Sequence, residues 1–228
     1  MVMVLQGALV VVLALAALVA VVLVVAVRRL AHMRWQPVRS RSVAREDVPT
    51  AIRALLDRAD TVLAPLGFVY RYSGATHKML VTPQNEPVFF DVYQHRDGHT
   101  HAMVSPSPVP ESQQPCMVQL ITCFDDGNNW LTLNRCRHFS PIDLPRWRTV
   151  DDYLPQWVQS WHRHLLRVQA TTVPICTDGV EVHRRLRQAF DDMVPHMRQQ
   201  GQFVPVADDS GHMRLTLLAA AHMAVKVL

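Results

Sequence analysis

The feature that most constrains this chain is an unbroken apolar run near its start, residues 2–27, in which Gln6 is the only clearly polar side chain. A helix rises about 1.5 Å per residue, so roughly 20 apolar residues cross a membrane core that is about 30 Å thick. The run exceeds that length. The core helix of a soluble domain rarely needs side chains that are apolar on every side. Residues 1–27 are therefore predicted to be a transmembrane anchor.

A cleaved signal peptide is the main alternative to an anchor. Signal peptides carry a basic segment, then a shorter apolar core, then a cleavage site of small residues. No Lys or Arg precedes this run, and the pair that resembles a cleavage site, Ala14 and Ala16, lies inside it. The pattern therefore favours an anchor that is not cleaved.

The charges that follow the run predict its orientation. Residues 28–45 contain six Arg and no acidic residue. An excess of Lys and Arg marks the cytoplasmic flank of a membrane span. Residues 28–47 are therefore predicted to be a basic juxtamembrane linker on the cytoplasmic side, with Trp35 as an aromatic anchor at the membrane interface. The soluble part of the chain is expected in the cytoplasm.

The net charge of +4 could indicate a nucleic acid or a membrane as partner, and the position of the basic residues distinguishes the two. From residue 46 onward the chain has 17 basic and 19 acidic residues, so all the surplus positive charge belongs to the membrane flank. Such a flank attracts anionic lipid headgroups by about 1 kcal/mol per basic residue. The expected partners are membrane lipid, through residues 2–27 and the Arg-rich flank, and a protein. A nucleic acid is not expected, because the remaining chain is nearly neutral. The ratio of 21 Arg to 2 Lys is typical of a bacterial genome rich in GC.

Four cysteines provide a test of this topology: Cys116, Cys123, Cys136 and Cys176. Their spacing matches no C-x-x-C motif for metal binding or redox chemistry. In the cytoplasm they are expected to be reduced, whereas an extracytoplasmic domain would allow two disulfides. Counting the thiols with and without reductant would distinguish the two orientations.

Residues 48–170 are predicted to form an α+β domain that begins with a helix. Asp47 is expected to cap this helix, and Pro65 and Gly67 are expected to end it. Strand patterns follow at residues 68–72, 87–95, 100–104, 116–124 and 130–139. Asp97-Gly98 and residues 125–129 provide the turns of two hairpins. The prediction is an antiparallel sheet of about five strands.

The C-terminal part, residues 171–228, is predicted to be a helical segment packed on that domain. Before it, residues 150–168 show helical spacing, with Asp151 and Asp152 as expected caps. Asp178 is expected to cap the next helix. The last stretch, residues 213–228, is apolar but carries three basic or imidazole side chains. An amphipathic helix on the domain is preferred there, and an interfacial helix or a second span remains open.

Three histidines at one predicted hairpin are the best candidates for metal binding: His95, His99 and His101. Catalytic zinc sites commonly use three protein ligands. A two-residue turn at Asp97-Gly98 places His95 on the opposite face of the sheet from the other two, whereas a three-residue turn places all three on one face. The Asp-Gly pair favours the two-residue turn, and His138 is a further candidate ligand.

The remaining polar groups favour structural roles. His162 and His164 lie two residues apart and do not face each other on a helix, so one of them is expected to be buried beside Trp161. The stripe of Trp157 and Trp161 is expected in the core. Residues 125–129 lack the alternating ligands and the distal Glu of a calcium loop, and they are interpreted as a hairpin turn.

Sequence motifs for the common catalytic sites are absent, since the chain has no P-loop, GxGxxG, HExxH or GxSxG. No residue is assigned to a catalytic, cofactor or metal site, no cofactor is expected, and enzymatic activity is considered less probable than binding. The sequence favours a single-pass membrane protein whose α+β domain is a binding module. The alternative is a metal-dependent enzyme or sensor that uses the hairpin histidines.

Overall fold

The computed structural model describes residues 2–36, 39–77, 81, 86–107, 116–134, 147–152, 157–168, 173–207 and 211–227. The helices are α1 (Val2–His32), α2 (Thr50–Leu63), α3 (Trp157–Val168), α4 (Gly179–Gln199) and α5 (Leu217–Val227). The strands are β1 (Ser40–Val43), β2 (Phe68–Thr76), β3 (Val88–His95), β4 (Thr100–Pro106), β5 (Cys116–Cys123), β6 (Asn129–Asn134), β7 (Trp147–Asp152), β8 (Phe203–Pro205) and β9 (Met213–Leu215). Two compact units result: the helical unit, Met1–Gln36 with Met197–Leu228, and the sheet unit, Pro37–His196.

The sheet unit contains a seven-stranded sheet in which every strand pairs with its neighbours in the chain, in the order β1 to β7. The first six strands pair antiparallel, and β7 runs parallel to β6. The predicted α+β class and antiparallel sheet are confirmed. The strand number exceeds the predicted five, because β1 and β7 extend the sheet at its two edges.

Both predicted hairpins are present. Gln94 of β3 pairs with His101 of β4, which is the register expected for the two-residue turn at Asp97-Gly98. The second hairpin joins β5 to β6 and turns at Gly127. Gly98 has φ +76° and Gly127 has φ +80°, in the left-handed region that glycine adopts without a steric penalty. The β3–β4 register is the predicted one, but its turn is not the predicted two-residue turn, because the Gly98 N–H donates to the His95 carbonyl oxygen at 2.9 Å, with Arg96 and Asp97 between them.

The main hydrophobic core lies between one face of the sheet and helices α2 and α3. Leu56, Ala59 and Leu63 are the buried residues of α2, at the helical spacing that the sequence predicts. Trp161 of α3 packs edge-on against Phe68 of β2, with ring centroids 5.0 Å apart. The core is completed by Val48, Tyr93, Ala102, Val104, Cys116, Val118 and Leu120. The predicted core position of Trp161 is therefore observed.

Helix α4 covers the opposite face of the sheet. Its start is capped as predicted, because the Glu181 N–H donates to Asp178 Oδ1 at 2.7 Å. His183 of α4 stacks on Phe90 of β3, with ring centroids 6.1 Å apart. Phe89 packs on the α2–α3 core, and successive residues of a strand point to opposite faces. The sheet is therefore covered on both faces.

The predicted helix at residues 150–168 begins later than expected. Trp147–Asp152 forms strand β7, and α3 begins at Trp157. The prediction that Asp151 and Asp152 cap this helix is therefore wrong. Both belong to a strand that pairs in parallel with β6. Strand formation depends on such tertiary pairing more than on local preference, so the local pattern did not reveal it.

The start of α2 also differs from the prediction. Asp47 lies in a short 3₁₀ helix, Arg45–Asp47, and the residue before α2 is Pro49, which makes no side-chain capping bond. The expectation that Asp47 caps α2 is wrong. The end is as predicted, because Gly67 has φ +90° and follows a closing 3₁₀ turn. The stretch 28–47, predicted as a linker, includes strand β1.

The helical unit combines the two ends of the chain. Within α1, the most apolar 18 residues of Val11–His32 have a mean hydropathy of 3.0 and none of them is buried, so the helix is long and apolar enough to cross a membrane. Trp35 and Met213 exchange two backbone hydrogen bonds of 2.8 and 2.9 Å. The Trp35 ring is buried and lies 5.7 Å from that of Phe203, so it packs inside this unit instead of extending outward as an interface anchor. The predicted domain boundaries stay a prediction.

Candidate functional site

The hairpin histidines do not converge. The pairing of Gln94 with His101 places His95 opposite Thr100 when the same register is continued by one residue. His95 therefore points to the α2–α3 face, and His101 points to the α4 face. Among the described residues, no group of three or more His, Cys, Asp or Glu side chains is arranged to hold a metal ion. His138 lies outside the described residues.

His95 is held in place by its neighbours. Its ring centroid lies 5.1 Å from that of Phe68 and 4.8 Å from that of Trp161. Its Nδ1 is 2.9 Å from Asp97 Oδ2, so the carboxylate accepts a hydrogen bond when Nδ1 is protonated. His95 therefore packs at the edge of the hydrophobic core, at the end of β3, and has a structural role there.

His101 is fully buried, with 0 % of its surface exposed, and neither ring nitrogen has a hydrogen-bond partner among the described residues. Burial, together with the nearby charge of Arg71, lowers the pKa of His101 to about 4. The imidazole is therefore neutral at pH 7. A buried polar group without partners costs about 1–3 kcal/mol, so this side chain reduces the stability of the sheet unit.

His99 lies beside an exposed thiol. Its Nδ1 is 3.6 Å from Cys176 Sγ, and the same thiol lies 3.7 Å from the Asp97 carbonyl oxygen. The other described cysteines, Cys116 and Cys123, are buried. Burial raises the pKa of both, to about 11 for Cys123, so these two remain thiols at neutral pH. Cys176 is therefore the accessible thiol among the described residues, and Cys136 lies outside them.

His164 shows the opposite situation to His101. It is fully buried, and both ring nitrogens have partners, since Nε2 is 2.9 Å from Thr122 Oγ1 and Nδ1 is 2.9 Å from Thr132 Oγ1. Its ring also stacks on Trp161 at a centroid distance of 6.2 Å. The prediction that one histidine of this helix is buried and hydrogen-bonded beside Trp161 is confirmed, and His162 is exposed.

The acidic turn between β5 and β6 satisfies its own polar groups. Asp126 Oδ1 accepts a 2.8 Å hydrogen bond from the Asn128 N–H, and Asp126 Oδ2 accepts a 2.7 Å bond from Asn128 Nδ2. These bonds lower the pKa of Asp126. The carboxylate thus stabilises the turn, in agreement with the hairpin interpretation.

Among the described residues of the sheet unit, one concentrated polar arrangement is not indicated by the sequence patterns. Three carboxylate oxygens approach a single nitrogen, Arg45 Nη2, at 2.9 Å from Asp57, 3.2 Å from Asp60 and 3.3 Å from Asp91. The Arg45 guanidinium also lies over the Tyr70 ring, with Cζ 4.5 Å from the centroid. These five residues, with Ser73, are called the Arg45 cluster below.

Asp91 is the buried member of the cluster. None of its surface is exposed. Ser73 Oγ donates a 2.6 Å hydrogen bond to Asp91 Oδ1, and because Ser73 has a single hydroxyl proton, the Tyr70 hydroxyl donates to Ser73 Oγ at 2.9 Å. Asp91 Oδ2 faces Arg45 as an ion pair without hydrogen-bond geometry. Burial raises the pKa of Asp91, although Ser73 and Arg45 act in the opposite direction.

The other charges complete this arrangement. Partial burial works to lower the pKa of Arg45, but the nearby carboxylates, Asp91 foremost, outweigh it and raise that pKa. Asp57 and Asp60 are about half exposed, so water screens them and they contribute little. One signal could have revealed the cluster, because Asp91 is a charge inside an otherwise apolar strand, VFFDVY, and buried charges are paired.

The position of Arg45 gives the cluster its structural role. Arg45 follows β1 directly and lies in the 3₁₀ helix before α2. Its contacts join this first segment of the sheet unit to Asp57 and Asp60 on α2 and to Asp91 on β3. Arg45 therefore links the start of the sheet unit to a helix and to an interior strand.

The comparisons with other proteins add no family to these observations. The chain was compared with models of protein families, with curated proteins and with solved structures, and no match was found in any of the three.

Proposed function

We propose that this protein is held in a membrane by α1 and that its sheet unit acts as a binding module at the membrane surface. The observation that carries the proposal is the exposure of α1. Ten Val and Leu side chains between Val11 and Val25 are each 47–62% exposed. Full burial of such a side chain contributes about 1.5–3 kcal/mol, so half exposure of all ten to water would cost on the order of 10 kcal/mol. That cost equals the whole stability of an ordinary domain, and a membrane removes it.

The charged end of α1 supports the orientation. Arg28 and Arg29 follow the apolar stretch directly and are exposed. Basic residues next to a span favour the cytoplasmic side and attract anionic headgroups. The proposal therefore places the sheet unit in the cytoplasm, close to the inner membrane surface, with Arg28 and Arg29 in contact with lipid. Arg45, the last arginine of the flank, is paired inside the sheet unit instead.

Contacts within the sheet unit support a binding role more than a catalytic one. His95, His164 and Arg45 all have internal partners, and these contacts stabilise the fold. The surface, in contrast, exposes large apolar side chains, among them Leu166, Val173 and Val180 at 67–74%. Contiguous apolar patches mark protein interfaces, whereas single exposed apolar side chains are ordinary, so these side chains are compatible with a protein partner but do not locate its surface. A protein partner is the proposed ligand of the sheet unit.

Membrane anchoring can be tested by extraction of the full chain with alkaline carbonate. Leu15 and Leu18 are replaced together by Arg, and the matched control replaces the same two residues by Ala. Each Arg near the centre of a span costs about 2.5–3.5 kcal/mol. The wild type and the Ala variant are expected in the membrane pellet, and the Arg variant in the soluble fraction. Release of the wild type by carbonate, or a mature chain that lacks residues 2–27, would contradict the proposal.

Cys176 provides a test of the orientation. In the full chain with Cys136→Ser, Cys176 is the exposed thiol among the described residues. A membrane-impermeant maleimide is expected to leave it unlabelled in intact cells and to label it after permeabilisation. Labelling in intact cells would reverse the proposed topology without affecting the anchor.

The binding role can be tested by photo-crosslinking in cells. A photoreactive amino acid replaces Leu166 of α3, and the matched control places it at His162, an exposed polar position on the same helix. The same pair is made on α4 with Val180 and Gln188. An adduct of defined mass is expected from at least one apolar position and from neither control. Turnover of a broad substrate panel at ordinary enzyme rates, with no such adduct, would contradict a binding role.

A further inference from the structure

The last helix of the chain has its large and small side chains in unusual places. Ala220 and Ala224 of α5 are 0% and 2% exposed, whereas Leu217, Leu218 and Val225 are 67%, 83% and 65% exposed. A helix on a soluble protein buries its large apolar residues and exposes polar ones. Helices in membranes do the reverse, since small residues at the interface allow close packing and large ones face lipid.

The partner of the buried face is the end of α1. Helices α1 and α5 pack against each other in the helical unit. Residues 11–22 of α1 are exposed on all sides, whereas Leu23, Ala26, Val27 and Leu30 are partly covered and Ala31 is buried. These five positions recur at three- and four-residue steps and form one face of α1. Helix α5 therefore covers the last third of α1 and leaves the rest of it exposed.

The direction of α5 follows from the strand that precedes it. Met213 of β9 exchanges two backbone hydrogen bonds with Trp35, just after α1 ends. Helix α5 then begins at Leu217, next to the C-terminal end of α1, and the partly covered positions of α1 reach back to Leu23. The 11 residues of α5 extend about 16 Å, which is enough to accompany the covered part of α1, about 13 Å long. Helix α5 thus runs back along α1, antiparallel to it.

The antiparallel direction of α5 determines which residues of α1 lie at the same level as its exposed apolar side chains. Arg28 and Arg29 mark the end of the apolar run of α1, and both lie within the stretch that α5 accompanies. Residues 23–27 of α1, on the membrane side of these arginines, also lie beside α5. The surface formed by Leu217, Leu218 and Val225, called the α5 face below, is apolar except for the exposed imidazole of His222. It therefore lies alongside the proposed span, level with its charged end.

We infer that the α5 face is a second lipid-contacting surface, which inserts at the boundary between the headgroups and the acyl chains of an anionic phospholipid membrane. The inference rests on the proposed function, since it requires α1 to be in the membrane. Because α5 runs along α1, it enters this boundary lengthwise and does not lie in the membrane plane. Large apolar side chains that face lipid are typical of a helix packed beside a span, and basic residues at the same level attract anionic headgroups. Here the α5 face supplies the apolar part, and Arg28 and Arg29 supply the positive charge.

The test measures lipid contact at three positions of the full chain. Leu218, Leu18 and Gln200 are replaced one at a time by Cys in a chain with Cys136→Ser and Cys176→Ser, and each is labelled with an environment-sensitive fluorophore. Leu218 is on the α5 face, Leu18 is in the apolar run, and Gln200 is an exposed polar position of the same unit. The protein is reconstituted in vesicles of phosphatidylcholine and phosphatidylglycerol that carry acyl-chain quenchers.

The three labels separate the inference from the proposed function. Quenching at positions 18 and 218 is expected to be severalfold stronger than at position 200. Strong quenching at 18 with none at 218 would overturn the inference and leave the anchor intact. No quenching at either position would overturn both. A blue-shifted but unquenched label at 218 that becomes solvent-exposed on dilution of the protein would assign the α5 face to a second copy of the chain, which also contradicts the inference.

Discussion

The pair of Arg45 and Asp91 provides a prediction with a calculable size. Replacing Arg45 by Met removes the cation that faces a fully buried carboxylate and keeps most of the side-chain volume. Breaking a buried pair in this way costs about 3–5 kcal/mol. Arg45 is one quarter exposed, so water reaches part of the site, and we expect the lower end, about 3 kcal/mol.

The double variant distinguishes a paired charge from simple packing. In Asp91→Asn the charge is absent, Ser73 keeps an acceptor, and Arg45 keeps Asp57 and Asp60, so a change within about 1 kcal/mol is expected. In Arg45→Met with Asp91→Asn no buried charge remains, and stability is expected to return to within about 1 kcal/mol of the wild type. The resulting coupling energy is about 2–3 kcal/mol, typical of residues in contact.

The pH dependence has a definite sign. Because the pKa of Asp91 is raised in the folded chain, the folded state retains a proton that the unfolded state has lost, and stability falls as the pH rises from about 3.8 through the folded pKa. Without Arg45 that pKa rises further, so the fall continues to higher pH. The Arg45→Met variant is therefore expected to differ little from the wild type at pH 4 and most at pH 7.

Amide hydrogen exchange of the full chain in detergent measures these effects, because protection in β3 and β4 reports the opening of the sheet without requiring two-state unfolding. A loss of about 3 kcal/mol lowers protection by more than about 100-fold. Arg41→Met, at an exposed position of β1, is the matched control and is expected to change stability by less than about 0.5 kcal/mol. An Arg45→Met effect that is independent of pH, or is not rescued by Asp91→Asn, would refute the reasoning.

Other polar groups lead to further predictions. His101→Leu is expected to leave stability at pH 7 unchanged or to raise it. In the wild type, stability is expected to fall as the pH drops from 6.5 to about 4, because the pKa of His101 is lower in the folded state than in the unfolded state, and the variant should lack this fall. Amide exchange rates of the variant that respond to acid as in the wild type would contradict this. His164→Leu removes one hydrogen bond from each of the Thr122 and Thr132 hydroxyls, which keep their contacts with Thr100 and Arg167, and the loss of two bonds is expected to cost about 1–3 kcal/mol; a fully stable variant in a urea titration would refute the role of these bonds. Cys176 is expected to react with a maleimide much faster than the buried cysteines, and mass spectrometry of the labelled peptides checks the order.

Sequence reasoning succeeded where short-range chemistry determines the structure. The register of the β3–β4 hairpin is the one predicted from the Asp97-Gly98 pair, and that register separates His95 from His101. The caps and ends at Asp178 and Gly67 are also local features. Each of these depends on residues within a few positions of one another, so the pattern is visible in the chain itself.

The features that were missed depend on residues distant in the chain. Asp91 is stabilised by Arg45, and the residues around either position do not indicate that the two side chains pair. Strand β7 exists because β6 pairs with it in parallel, although the same residues resemble the start of a helix. The contact between α5 and α1 is the extreme case, since it joins the two ends of the chain. Such pairings are tertiary, and local propensity does not encode them.

The backbone hydrogen bonds between Trp35 and Met213 have a consequence for the order in which the two units can fold during synthesis. In the sheet, each strand pairs with one made immediately before it, so the sheet unit can form progressively as the chain emerges. The helical unit has no such order, because its packing partner α5 follows α1 only after the whole sheet unit. The chain must therefore be synthesised through the sheet unit before α1 acquires this neighbour, and products truncated before α5 would contain α1 without it.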